Sequence, residues 1–403
     1  MQRSVFKRSG RVVITLVRWL LVVCLVAVTI SALSNLGLPA RSQVVDRLSD
    51  VEKARLAEMF HLRQTLGDTV WPGWSQAEIP VIVYNEAYAF LIGYPDPPPG
   101  WRKMPQRIAR GGAWEPVPDD TFAGQPYFRQ HLADPNVTPE SFTVLVGERW
   151  VATFATKEYA QIDFVHGLRA ELPPVVRTVF PYRLAWRWLL GESEAYIGAL
   201  EHEAFHAYQG QVAPARLARA EAAMQHDPLY HWDDRALRAA WQQEVNLLAD
   251  AAQAPSDVEA TALARRFLAQ RDARRAHAKL SPALVDYERQ REWLEGLAKY
   301  IELAIGRAAA TTPGYQPAPA IANDLEFRHY TTRERFWSMQ LDGVRRLSGR
   351  TGETRFYYTG AAQAALLDRL MPGWKAQILT TDMTLEDMLR AAATGHTVQG
   401  QRR

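Results

Sequence analysis

Along the chain, the pattern of hydrophobic and polar positions passes through five successive stretches. Between Arg18 and Arg41 lie 22 uncharged residues, Trp19–Ala40, dominated by WLLVVCLVAVTISAL. About 20 apolar residues at ~1.5 Å rise per residue span a ~30 Å hydrocarbon core. Residues 44–66 then place Leu48, Val51, Leu56, Met59, Leu62 and Leu66 at helical spacing. Ser49 followed by Glu52 marks the N-terminus of this helix, expected as a stalk or first helix. From Ile79 to about Asp163 the pattern shortens to the β-prone runs IPVIVYN, SFTVLVG and ERWVATFAT, divided by the turn-rich PDPPPGW and RGGAWEPVPDD. From Tyr182 to about Ala310 the chain is rich in Ala, Leu, Arg and Glu and reads as helices, broken near Gly210–Pro214, His226–Asp234, Pro255 and Ser281–Pro282. The remainder mixes the turns TTPGYQPAP and SGRTGET with helices near 325–346 and 359–371. No 20–50-residue period emerges, so a solenoid is not indicated.

These patterns predict an α+β chain. Residues 1–18 form a cytoplasmic basic tail, 19–40 a transmembrane signal-anchor, 41–78 a helical stalk and 79–180 a smaller mixed β subdomain. Residues 181–310 form a predominantly helical core and 311–403 a mixed, largely helical C-terminal part.

Charge changes the picture in one respect. The net charge of +3 would hint at a polyanion partner, but residues 1–18 hold Arg3, Lys7, Arg8, Arg11 and Arg18 and no acid. With +5 there, the other residues sum to −2, which argues against nucleic-acid binding by the folded part. The same cations precede the apolar run, which keeps the N-terminus cytoplasmic and sends the body to the periplasm or cell exterior. Cleavage after a signal sequence, with small residues at Thr29 and Ser31, is the alternative and would give a secreted protein. Cys24, inside the apolar run, is the sole cysteine, so no disulfide framework or cysteine-based zinc site exists.

The chemistry concentrates in EHEAFHAYQG, residues 201–210. His202 and His206 stand four residues apart on a helix that Ser193 is expected to cap and Gly210 to end. They therefore share one face, from which two imidazoles can hold one zinc at ~2.0–2.1 Å. Glu203 lies beside them, placed to take a proton from water. Embedded in apolar residues, two unpartnered imidazoles would be costly to bury, and a metal supplies the partner. Residues 207–212, AYQGQV, offer no third histidine, which leaves a carboxylate as the third ligand.

WLEGLAKYIE, residues 293–302, resembles the W-L-N-E-G-x-A-x-Y-x-E helix of gluzincin aminopeptidases, which also carry H-E-x-x-H. The resemblance implies a zincin-like fold with one Zn²⁺ per chain and Glu295 as third ligand. Glu244, closer in sequence, is the alternative ligand. The glycine after Glu295 would let two helices approach closely, and Leu294, Leu297, Ile301 and Ile305 give that helix a buried stripe. Residues 214–276 are then an inserted helical hairpin between the two motifs. The G-x-M-E-N motif is absent, so aminopeptidase specificity does not carry over.

Tyr357, Tyr358 and His329 are candidates to donate a hydrogen bond to a developing oxyanion or to touch substrate. HDPLYHWDD, residues 226–234, reads as an interhelix turn capped by Asp233 or Asp234 rather than as a second metal site. SFTVLVGERWVATF is a candidate strand for pairing with an extended substrate, or a core strand. No G-x-S-x-G elbow, P-loop or G-x-G-x-x-G occurs. The function expected is a membrane-anchored zinc metallopeptidase acting on polypeptides outside the cytoplasm. The alternatives are a zinc amidase for cell-wall peptides and a non-catalytic scaffold, against which the retained Glu203 argues.

Overall fold

The computed structural model describes residues 2–104, 108–132, 143–189, 191–347 and 352–395. Ser141 and Phe142 of the SFTVLVG run, and part of the SGRTGET turn, lie outside those residues. The described chain is mixed α and β, and mostly helical. It opens with α1 (Gln2–Leu36) and α2 (Asp50–Val70). Eight strands follow: β1 (Val81–Tyr84), β2 (Tyr88–Ile92), β3 (Trp101–Lys103), β4 (Ile108–Arg110), β5 (Glu115–Pro116), β6 (Phe128–His131), β7 (Thr143–Val146) and β8 (Arg149–Ala155). Next come α3 (Lys157–Glu171), α4 (Pro174–Val179), α5 (Tyr182–Leu189), α6 (Ser193–Val212), α7 (Pro214–Ala222), α8 (Arg235–Gln253) and α9 (Asp257–His277). A continuous helical path follows, through α10 (Pro282–Arg291), a π turn (Glu292–Gly296) and α11 (Leu297–Thr311). The chain ends in α12 (Arg333–Leu347), α13 (Thr354–Leu370), α14 (Lys375–Ile378) and α15 (Leu385–Thr394).

Within α1, Val17–Leu36 is long and apolar enough to cross a membrane, and only 6% of that stretch is buried. The helix expected as a stalk, α2, packs into the main core, with Leu56, Met59, Leu62 and Leu66 all buried against residues of α6 and α11. Its alternation is blurred because Arg55, Glu58 and Arg63 are buried as well. Ser49 caps it by accepting from the Glu52 backbone N–H.

The strands form one sheet in the order β4-β3-β7-β8-β1-β2-β6-β5. All pairs are antiparallel except β1 with β8. β7 is flanked by β3 and β8, and β8 by β7 and β1, so neither strand of the SFTVLVGERWVATF segment is a free edge. Substrate pairing along it is therefore ruled out, because its ladder hydrogen bonds are already used. β8 lies across α6 instead. A side chain at Gly210 would sit 2.5 Å from the Trp150 ring, so this glycine admits the indole and does not end the helix. α6 runs on to Val212 and stops before Pro214. Nor does Ser193 cap α6: it is the first helical residue, and its hydroxyl donates to Asp324.

The segment between the two motifs folds as α8 and α9 packed as a hairpin. Asp234 caps α8 by accepting from the N–H groups of Ala236 and Leu237, which makes HDPLYHWDD a turn. Ser281 caps α10 in the same way through Leu284.

Candidate metal centre

α6 carries His202 and His206 one turn apart, and the π turn carries Glu295 opposite them. His202 Nε2 and His206 Nε2 are 3.1 Å apart, and Glu295 Oε2 lies 3.4 Å and 3.3 Å from them. Tetrahedral ligands ~2.0–2.1 Å from a metal ion of zinc's size stand about 3.3–3.4 Å from each other, so the three donor atoms are spaced such that they could hold one metal ion. They form the one group of this kind among the described residues, and all three side chains are buried.

The rings are held from behind. His206 Nδ1 donates to Gln209 Oε1 at 2.9 Å. Gln209 Nε2 in turn donates to the carbonyls of Trp293 and Leu294 in the π turn, which ties α6 to the element carrying Glu295. His202 Nδ1 lies 3.4 Å from Glu302 Oε2 on α11, and Lys299 holds Glu302. With the Gln209 amide behind His206 and the Glu302 carboxylate near the outer nitrogen of His202, both Nε2 atoms face the shared point, an arrangement like the usual support of a metal-bound histidine. Arg291 Nη2 holds Glu295 Oε1 at 2.7 Å, which turns Oε2 toward the histidines. Lys299, one turn beyond Glu295 in sequence, pairs with Glu302 and leaves Glu295 to the site.

The field around the rings calls for positive charge. Burial penalises the imidazolium of His202, but hydrogen bonds to Glu295 and Glu302 outweigh it and carry its pKa up to about 10. Glu203, partly exposed, is raised above the usual carboxylate range by burial, with Glu295 and Glu302 adding to the rise and the two imidazoles opposing it. A raised carboxylate suits a group that must accept a proton and later return it.

Why the π turn sits here follows from packing. A side chain on Gly296 would meet Gly360 Cα at 2.4 Å, so this glycine lets the turn cross directly against α13. The close approach is thus to α13 and not to α6. It brings Tyr357 over the site, its ring stacked on His202 at 5.7 Å and 12°. Burial, and then the neighbouring Glu295 and Glu353 carboxylates, push the Tyr357 hydroxyl well above its ordinary pKa, which keeps it a proton-bearing donor. Glu292, in the same turn, is gripped by Arg271 of α9 and by the Thr359 hydroxyl of α13. Extra-wide π turns recur at functional sites because they re-aim one side chain out of helical register.

The other candidates fall elsewhere. Glu244 is no ligand: its two oxygens accept from Arg271 Nε at 2.7 Å and Arg274 Nε at 2.5 Å, inside a fully buried network with Glu288, Glu292 and Glu386. His329 is exposed on a turn beside the start of α6, where Glu194 accepts from the backbone N–H groups of Arg328 and Tyr330. Eight residues of helix, ~12 Å, separate Glu194 from His202, which places the turn that carries His329 toward the opposite end of α6 from the two histidines. Tyr358 lies at the margin, with Lys299 Nζ 5.5 Å from its ring centre. The sequence does not single out Gln209 and Arg291, and offers Glu302 only as one of several acids, with no role behind His202. Gln209 stands three residues after His206 and Arg291 four before Glu295, helical neighbours whose spacing carries the signal.

A cleft of about 1090 Å³ lies between α2, β2 and the 122–127 loop, and none of the site residues lines it. A scan against protein-family models, a search of curated proteins and a search of solved structures each return no match.

Proposed function

We propose that this chain is a zinc-dependent hydrolase, a metallopeptidase anchored by Val17–Leu36 with its body outside the cytoplasm. The observation that carries the reading is the triangle of two Nε2 atoms and Glu295 Oε2 at 3.1–3.4 Å, with Glu203 on the helical residue next to His202. Zinc held by His202, His206 and Glu295 would supply a Lewis acid that polarises a carbonyl and activates water near neutral pH. Glu302, Gln209 and Arg291 fix the three ligating side chains. Glu203 accepts the proton of the attacking water and returns it to the leaving amine. Tyr357 donates its O–H toward the oxygen on which negative charge develops. Glu203 and Tyr357 are partly exposed while the three ligating side chains are buried, so both can meet a substrate that reaches the site.

The test is Glu203→Gln in the full chain, assayed on a broad peptide library. The amide keeps shape and hydrogen bonding but cannot take a proton. Zinc should stay bound while hydrolysis falls by at least the ~10²–10⁴-fold of general acid–base catalysis. Wild-type protein that binds zinc and cleaves nothing, or a variant with full activity, overturns the peptidase reading.

A further inference from the structure

The segment from Leu172 to Leu189, LPPVVRTVFPYRLAWRWL, contains three arginines and no acid. It folds as α4 and α5 and turns several large apolar side chains to solvent: Val175 is 80% exposed, Trp188 81% and Leu189 58%. Leu184 and Trp188 stand one turn apart on α5 and share a face, while Tyr182 and Trp186 point inward and are buried. Arg177 and Arg187 are exposed beside that face. Nothing within the body requires such an apolar, cationic surface.

Its position gives the reason. The last turns of α1 dock on α4 and α5. Ser31 Oγ donates to the Val179 carbonyl at 2.7 Å, and Asn35 Nδ2 to the carbonyls of Thr178 and Phe180 at 3.0 Å each. Arg183 returns two hydrogen bonds, to the carbonyls of Ser34 and Gly37. The twenty residues Val17–Leu36 at ~1.5 Å per residue match a ~30 Å hydrocarbon core. Ser31 and Asn35 then lie within about 8 Å of its outer boundary, and so does the backbone they grip. An element fixed at that depth meets acyl chains on one side and headgroups on the other. Trp and Leu with flanking Arg is the composition such a layer favours.

We propose that α4 and α5 form a foot embedded in the outer headgroup layer of the bilayer that α1 crosses, with Val175, Leu184, Trp188 and Leu189 in the acyl boundary and Arg177 and Arg187 among the phosphates. The foot holds the body against the membrane. The proposal rests on reading Val17–Leu36 as a membrane span.

Spin-label accessibility in the full chain, reconstituted in vesicles of phosphatidylethanolamine and phosphatidylglycerol, tests both statements separately. A nitroxide on Cys24, the sole cysteine, reports the span. In a Cys24→Ser background, labels on Val175→Cys and Trp188→Cys report the foot. A label on Val258→Cys, at an 83% exposed position of α9, reports the aqueous body. Collisions with oxygen should exceed those with a nickel chelate at 24, 175 and 188, and the order should reverse at 258. A lipid signature at 24 with an aqueous one at 175 and 188 overturns the foot and leaves the span standing. So does shielding of 175 and 188 from both reagents, which would mean that protein covers them. An aqueous signature at 24 overturns the span, and the foot with it.

Discussion

Gly296→Ala perturbs the site without touching a ligand. The added methyl carbon would stand 2.4 Å from Gly360 Cα, 2.9 Å from its carbonyl carbon and 3.2 Å from the Phe356 carbonyl oxygen. Non-bonded carbons are comfortable at about 3.5–4.0 Å, so the π turn and α13 must separate locally by about 1 Å. The obstacle is backbone on both sides, which cannot swing away as a side chain can. Overpacking of this kind costs about 1–3 kcal/mol, more than the ~1 kcal/mol that replacing glycine by alanine returns inside a helix. The separation also moves Glu295, one residue before Gly296, and Tyr357, three residues before Gly360. Urea denaturation followed by circular dichroism, with zinc affinity from chelator competition, reads both effects. The variant should unfold at lower urea and bind zinc more weakly. Gly167→Ala on α3, with no atom within 4 Å of its added carbon, is the control and should gain up to ~1 kcal/mol. A Gly296→Ala protein as stable as wild type, with unchanged zinc affinity, refutes the reasoning.

Four further outcomes are expected. Glu302→Ala removes the carboxylate behind His202 and should weaken zinc binding by about 10–100-fold, with Glu302→Gln recovering part of the loss in the same competition assay. Glu244→Gln should keep its zinc by elemental analysis yet lose about 1.5–3 kcal/mol in denaturation, because it removes the one carboxylate that Arg271 and Arg274 share and leaves each hydrogen-bonded to a single acidic partner, Glu292 or Glu288. Glu288 and Glu386 are buried, yet neighbouring arginines hold their pKa values below the ordinary carboxylate value of 4.5. Their contribution to stability is complete above pH ~4.5 and disappears as pH falls below it, so an acid titration should show a steep loss that Glu386→Gln flattens. A reporter fused after Arg403 should be active only outside the cytoplasm, and the mature chain should retain residues 1–40.

How much of this was legible in the chain follows from the range of each interaction. His202 and His206 lie one turn apart, so spacing alone places them together. Ser281-Pro282 and the stripe Leu294, Leu297, Ile301 and Ile305 are likewise local, and the helix carrying Glu295 could be read directly. Bringing Glu295 to the histidines crosses 89 residues of chain, for which only the resemblance of WLEG to a known helix offered a guide. The widening of that helix into a π turn leaves no periodic trace in five residues. Glu244 stands as an alternative in sequence because the arginines that occupy it, Arg271 and Arg274, lie on a facing helix and look like ordinary surface charges. Gly210 read as a stop because its reason for being glycine, the Trp150 ring, arrives from a strand some sixty residues earlier. The β7–β8 pair carried its strand pattern openly, but neighbours on both sides are a property of the whole sheet.

The most direct test of the metal centre is elemental analysis of the purified full chain, alongside its His206→Ala and Glu295→Ala variants. About one zinc per wild-type chain is expected, with loss from His206→Ala and strong depletion in Glu295→Ala. A folded wild-type chain that carries no stoichiometric metal and takes up none from added zinc would contradict the account.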